Sequence, residues 1–350
     1  MQNRKPRIFF VMKTNDYSGA EAVNITIIKN LKNKFDFYWV SQKGNINKKL
    51  KEEKIKWIEI KKLSIREMQR VINDYRPDIL HATDYTASIV CAPFARKTSV
   101  INHLHNNSPW LKKRCVNSFL YRYAAKRATK VLVVSESIIN EYVYANCIIE
   151  KMINIGNPVS REEILSKVDK NEKKEYDICC VARIVPQKNP WKFLEIIAEL
   201  KKKRPNIKVV WVGKGENKDE IENYSHKLGL DENIDFVGFQ KNPWQYMAKS
   251  KIFMMTSSYE GYGLVVFEAL SLGLPCVVSG VGGLVNIVTD DCGRLCRTKG
   301  DFVEECNLLL SSKRLLDNKS QQSILRSREL DNIDKYMAQI SSLYGELYES

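Results

Sequence analysis

Two glutamates eight residues apart, Glu260 and Glu268, lie in SSYEGYGLVVFEAL (257–270), one among glycines and the other inside an apolar run. Carboxylates so placed can accept hydrogen bonds from vicinal hydroxyls, as in ribose recognition. Between them, Gly261 and Gly263 permit a sharp turn into a helix beginning near Leu264. The first amides of that helix, Leu264 and Val265 among them, would be free to bind phosphate oxygens. Upstream, Arg183 and Lys188 stand five residues apart in VARIVPQKNP, a planar fork and a point charge able to reach one diphosphate. A third stretch, Ser18-Gly19-Ala20-Glu21, precedes a helix-period run, where small residues let backbone amides approach an anion or a sugar. It lacks the full G-x-G-x-x-G pattern and reads equally as an ordinary tight turn.

Residues of this kind need elements to hold them, and short β-rich runs alternate with helix-period segments along the chain. Ile8 to Met12, Phe37 to Val40, Ile79 to Ala82, Ser99 to Ile101 and Val131 to Val134 read as strands of a first unit. A second set runs through Ile178 to Ala182, Val209 to Val212, Ile234 to Val237, Ile252 to Met255 and Pro275 to Ser279. The alternation predicts βαβ units and parallel sheets, with ligands beyond the carboxyl ends of the strands. Boundaries follow: a first domain over 1–158, a charged linker over 159–176, a second domain over 177–328 and a closing amphipathic helix over 329–350. Leu330, Ile333, Met337, Ile340, Leu343 and Leu347 form the apolar stripe of that helix.

The 350 residues are 44% hydrophobic and 28% charged, as expected of a soluble globular protein. The apolar runs are strand-sized, well below the roughly 20 residues of a membrane span, and no signal-peptide core follows the basic N-terminus. A cytoplasmic protein is expected. Nine cysteines without regular spacing argue for buried thiols rather than a disulfide framework, and Cys292-x3-Cys296 lacks partners for a zinc site. The net charge of +15 would attract nucleic acid, an anionic membrane or a phosphorylated substrate, or reflects lysine-rich solvated faces. No nucleic-acid-binding signature occurs, so no nucleic-acid partner is expected. Residues 110–130, WLKKRCVNSFLYRYAAKRATK, interleave basic and aromatic side chains, which suits an anionic bilayer surface; packing of Phe119, Leu120 and Tyr123 into the first sheet is the alternative.

In their order these motifs resemble the retaining glycosyltransferases of family 4, whose E-x7-E signature is matched by Glu260 and Glu268. VARIVPQKNP, WVGKGE (211–216), RPDILHATD (76–84) and VVSES (133–137) extend the resemblance over nearly the whole chain. It implies an α/β protein of the GT-B fold, two Rossmann-like domains facing each other across a deep cleft, with the C-terminal helix a candidate to cross back to the first. By position, Arg183 and Lys188 match the pair that neutralises the donor diphosphate, Glu268 the ribose ligand and Glu260 the carboxylate facing the donor sugar. His105, in VINHLHNN, matches a histidine near the reacting centre, and Gly19 the glycine loop near donor phosphate and acceptor. The pattern departs at Asn286, where many relatives carry glutamate after the paired glycines.

The implied reaction moves a hexose-type sugar from a nucleotide-diphosphate sugar to a glycan or polyprenyl-linked saccharide with retention of configuration. It belongs to surface polysaccharide, lipopolysaccharide or capsule biosynthesis at the inner face of the cytoplasmic membrane. No cofactor is expected, and because no Asp-x-Asp occurs, no metal. A sugar phosphorylase, a nucleotide-sugar epimerase or a non-catalytic binding subunit of the same fold are the alternatives.

Overall fold

Valine, isoleucine and aromatic side chains in unbroken runs form strands covered on both faces, and the chain carries two sets of them. A computed structural model describes residues 4–169 and 172–349. The chain divides into two units, one of residues 1–158 with 332–350 and one of residues 159–331.

The first unit holds seven parallel strands: β1 (Arg7–Val11), β2 (Asp36–Ser41), β3 (Lys56–Glu59), β4 (Ile79–Thr83), β5 (Ser99–Leu104), β6 (Lys130–Val133) and β7 (Met152–Asn154). Their order is β3-β2-β1-β4-β5-β6-β7. The second unit holds six: β8 (Tyr176–Val181), β9 (Val209–Val212), β10 (Ile234–Gly238), β11 (Ser250–Met255), β12 (Cys276–Ser279) and β13 (Gly293–Cys296). Their order is β10-β9-β8-β11-β12-β13. In both sheets the direction of winding reverses beside the first strand, between β1 and β4 and between β8 and β11. Connections leave such a point on opposite sides and open a crevice at the carboxyl ends of the two strands, where ligands bind in open α/β sheets.

The chain between the units differs from the expected exposed linker. Residues Arg161–Leu165 form a short helix, and Val159 and Ile164 are buried against Phe267 in the second unit. Positions 170 and 171 of that stretch lie outside the described residues. The closing helix also starts later than its apolar stripe suggests. Leu330 ends the helix Lys313–Leu330 and packs in the second unit, because Asp331 turns extended (φ −62°, ψ 117°) and stops the helix there. The last helix, Ile333–Glu349, buries Tyr336, Ile340 and Tyr344 within the first unit. Seven of the nine cysteines are buried free thiols; Cys115 and Cys147 are exposed. Among the described residues no helix is long and apolar enough to cross a membrane.

Candidate functional site

At the switch point of the second unit, the loops after β8 and β11 are joined by hydrogen bonds. Ser258 N–H donates to Gln187 O (2.8 Å), Gln187 Nε2 donates to Tyr259 O (3.1 Å), and Thr256 Oγ1 donates to the carbonyls of Lys188 (3.1 Å) and Asn189 (3.0 Å). This stitching brings together residues that are 72 apart in sequence, Lys188 and Glu260, as an ion pair. Their side chains are only 15% and 8% exposed, so water screens the pair weakly. Lys188 Nζ and Ser257 Oγ (2.8 Å) both donate to Glu260 Oε1, and Oε2 accepts no hydrogen bond among the described residues. The cation that the sequence pairs with Arg183 is thus already matched by a carboxylate. Arg183, by contrast, is exposed and its guanidinium has no partner among the described residues.

Two glycines make this geometry attainable. Gly263 has φ +95° and caps the helix Leu264–Ser271; a Cβ there would also lie 2.3 Å from Leu284 Cδ2. Gly282 has φ +55°, and a Cβ would lie 1.8 Å from the carbonyl oxygen of Glu260. The loop after β12 therefore closes directly on the backbone that carries Glu260, alongside a bond from Gly283 N–H to Gly261 O (3.1 Å). Within the helix, Val266 and Phe267 N–H bond back to Gly263 O, while the Leu264 and Val265 amides have no partner in the chain among the described residues. They remain available to an anion. Val266, Phe267, Ala269 and Leu270 anchor the helix, and Val265 is only partly buried.

Glu268 has surroundings of its own, made by Trp244, Glu163 and Lys167. Burial pushes its carboxyl up to about 7. The Trp244 indole N–H pulls the other way, but it has no partner within hydrogen-bond distance and offsets burial only in part; Glu163 adds a like charge. A carboxyl half-protonated near neutrality is one that added hydrogen-bond donors would ionise.

In the first unit, the loop after β1 caps the helix Gly19–Leu31. Glu21 is buried and accepts hydrogen bonds from Ser18 N–H (3.0 Å), Ser18 Oγ and Thr14 Oγ1, so it closes its own loop. The Gly19 and Ala20 amides have no partner in the chain among the described residues. Across the switch point Asp84 adopts φ +63°, a conformation rare for aspartate, and accepts the His105 N–H at 2.9 Å. Burial lifts the Asp84 carboxyl to about 6; the bond from His105 opposes this and the Glu21 charge adds to it. The His105 ring is buried with both nitrogens unpartnered among the described residues, and burial lowers its pKa to about 3, so it is neutral.

Sequence reasoning did not single out Ser257, Thr256, Gln187, Trp244 or Asp84. Gln187 and Thr256 act through backbone contacts that no spacing rule signals, and Ser257 through a hydrogen bond to Glu260 that the fold of the loop brings about. Asp84 ends RPDILHATD directly after a strand, a position that could have marked it. Among the described residues, no group of three or more His, Cys, Asp and Glu side chains could hold a metal ion.

Two family models cover this architecture. "Glycosyltransferase Family 4" matches residues 18–163 and "Glycosyl transferases group 1" matches residues 160–326. The fold is GT-B, and the chain belongs to the family 4 type of glycosyltransferases. It is 26% identical over 230 residues to an uncharacterized glycosyltransferase of Methanocaldococcus jannaschii, 59% of this chain and 57% of that one. It is 27% identical over 277 residues to the N-acetylgalactosamine-N,N'-diacetylbacillosaminyl-diphospho-undecaprenol 4-alpha-N-acetylgalactosaminyltransferase of Campylobacter jejuni, 72% of this chain and 75% of that one. Among solved structures, HepE of Anabaena in complex with UDP and glucose superposes with a TM-score of 0.85 at 19% identity, covering 97% of this chain and all of HepE.

Proposed function

We propose that the chain transfers a hexose-type sugar from a nucleotide-diphosphate sugar to a glycan or polyprenyl-linked saccharide, with retention of configuration and without a metal. The observation that carries this reading is the arrangement at the β8/β11 switch point. Arg183 and two helix-start amides without partners among the described residues, and the buried Lys188–Glu260 pair, are held by loops closed with glycine. Glycosyl transfer builds charge on the departing diphosphate. Cationic and amide donors fixed in advance stabilise that charge without reorganising, each worth about 3 kcal/mol. Glu260 has one oxygen engaged and one to offer to a sugar hydroxyl, while Glu268 accepts the ribose hydroxyls. By the family resemblance, Gly19 and His105 of the first unit are assigned to recognition of the donor phosphate and the acceptor. UDP is the favoured nucleotide because HepE holds UDP, and a lipid-linked acceptor is favoured because the Campylobacter relative is named for one.

An anionic membrane surface belongs to the same proposal, with the protein bound peripherally at the inner face of the cytoplasmic membrane. The helix Val116–Arg127 leaves Val116, Phe119, Leu120 and Tyr123 exposed, so they do not pack into the first sheet. Residues 85–135 contain nine lysines and arginines and no acid.

The test is a binding panel of UDP-, GDP- and ADP-glucose by thermal shift, then turnover. A donor present at 100 times its Kd should stabilise the protein by about 2.7 kcal/mol. Ribose hydroxyls donating to Glu268 favour its ionised form, so donor binding must expel a proton wherever the free carboxyl is protonated. Affinity should therefore rise as pH goes from 6 to 8, by at most about tenfold per unit below 7, and Glu268→Gln should flatten that profile. Absence of binding to every nucleotide sugar would sink the proposal; inversion at the anomeric carbon by proton NMR, or activity lost to chelator and restored by magnesium, would remove those parts of it.

A further inference from the structure

Behind His105 lies a second polar assembly with no role in the site so far. Tyr344, on the last helix, is wholly buried, and its hydroxyl lies 2.8 Å from Nδ1 of His81 on β4. His81 Nε2 lies 3.0 Å from Nδ1 of His103 on β5, and the His103 ring centroid is 3.9 Å from that of His105. Phe10 flanks His81 at 4.7 Å, and Phe35 meets Tyr344 edge-on at 5.3 Å, so both rings have little freedom to turn.

We infer that Tyr344 is a positioning residue for the His105 site: its O–H fixes His81 and His103 as Nε2–H tautomers, and so the last helix of the chain sets the ring on which His105 stacks. Burial keeps all three imidazoles neutral, each with one N–H and one lone pair. Two arrangements then satisfy both short contacts. In the first, Tyr344 donates to His81 Nδ1, His81 Nε2–H donates to His103 Nδ1, and His103 carries its proton on Nε2. The second reverses every donor: His103 Nδ1–H donates to His81 Nε2, and His81 Nδ1–H donates to the tyrosine oxygen. The buried tyrosine O–H then needs another acceptor, and none is within reach among the described residues. Each arrangement leaves one buried donor without a partner among the described residues, His103 Nε2–H in the first and the tyrosine O–H in the second. A phenol O–H is a stronger donor than an imidazole N–H, and an imidazole nitrogen a better acceptor than a phenol oxygen, so the first arrangement, in which the tyrosine donates, is the favoured one.

This inference rests on the proposed place of His105 near the reacting centre, and its main readout is independent of turnover. Long-range proton–nitrogen NMR of the histidine-labelled full chain should show His81 and His103 as Nε2–H tautomers. Tyr344→Phe, which keeps the ring and removes the hydroxyl, should turn His81 into a tautomer mixture and shift the His105 nitrogens. Tyr336→Phe is the control, since Tyr336 is buried on the same helix with its hydroxyl unpartnered, and it should leave the histidine signals unmoved. With UDP-glucose hydrolysis as the probe, Tyr344→Phe should lower kcat about tenfold at unchanged KM, as expected for a misaligned group. Nδ1–H tautomers in the unsubstituted protein, an unchanged spectrum in Tyr344→Phe, or the same change in Tyr336→Phe would overturn the inference. Retained kcat despite altered tautomers would overturn the positioning role. If no nucleotide sugar binds at all, the functional proposal fails while the spectra still decide the tautomers.

Discussion

Arg183 and Lys188 look interchangeable in sequence, two cations of one loop, yet their surroundings give them different parts. Arg183 is exposed and without a partner among the described residues, so its removal leaves no charge uncompensated there. Lys188 neutralises a carboxylate that is 8% exposed, and deleting one partner of such a pair strands the other charge in a poorly solvated place. Arg183→Ala is expected to lower kcat/KM by about a hundredfold, the loss of one leaving-group donor, with an unchanged denaturation midpoint. Lys188→Ala should lower activity similarly and also cost roughly 3 kcal/mol of stability, which Lys188→Ala with Glu260→Gln should largely restore. Urea melts and steady-state kinetics on the three variants check this; equal stability of the two single variants would show that the ion pair carries no such load. The residues themselves were legible from their position after a strand. The pairing of Lys188 with Glu260 was not, because it depends on two loops meeting through Gln187, Thr256 and Ser258, contacts made with backbone.

At the scale of elements, strands buried on both faces announce themselves as apolar runs, which is why FFV in β1 or VVWV in β9 can be read directly. The strands β3 (KWIE), β7 (MIN) and β13 (GRLC) are short, mixed in polarity and at sheet edges, so they carry no such signal. Helix Val116–Arg127 shows the opposite case: its periodicity was legible, but which face would be covered was not. Ala124, Ala125 and Tyr121 turn inward, and the larger Phe119, Leu120 and Tyr123 are left in water beside Lys126 and Arg127. An apolar patch rimmed by cations suits an anionic bilayer, where each basic side chain adds about 1 kcal/mol and each buried apolar one somewhat more. The full chain should float with vesicles containing phosphatidylglycerol and not with purely zwitterionic ones. Val116→Ser with Phe119→Ser and Tyr123→Ser should weaken flotation by at least about tenfold without lowering stability, since these side chains are already exposed. Equal flotation of the triple variant would move any membrane contact elsewhere.

For the whole molecule, the chain's return to its first unit is the feature that sequence pattern conveys least. An amphipathic stripe says that a helix has something to cover, not what, and Leu330 continues the stripe while packing with the second unit. The division falls at Asp331, after which Tyr336, Met337, Ile340, Leu343 and Tyr344 all enter the core of the first unit. Burying five such side chains contributes roughly 10 kcal/mol, comparable to the whole stability of a domain of this size. A chain ending at Asp331 should therefore lose the first unit while the second, which gives up none of its own residues, stays folded. Hydrogen exchange followed by mass spectrometry separates the two: protection should vanish from the peptides of β1, β4 and β5 and persist in those of β8, β9 and β11. Exchange that stays slow in β1 and β4 after the truncation would show that the last helix only covers a core that stands without it.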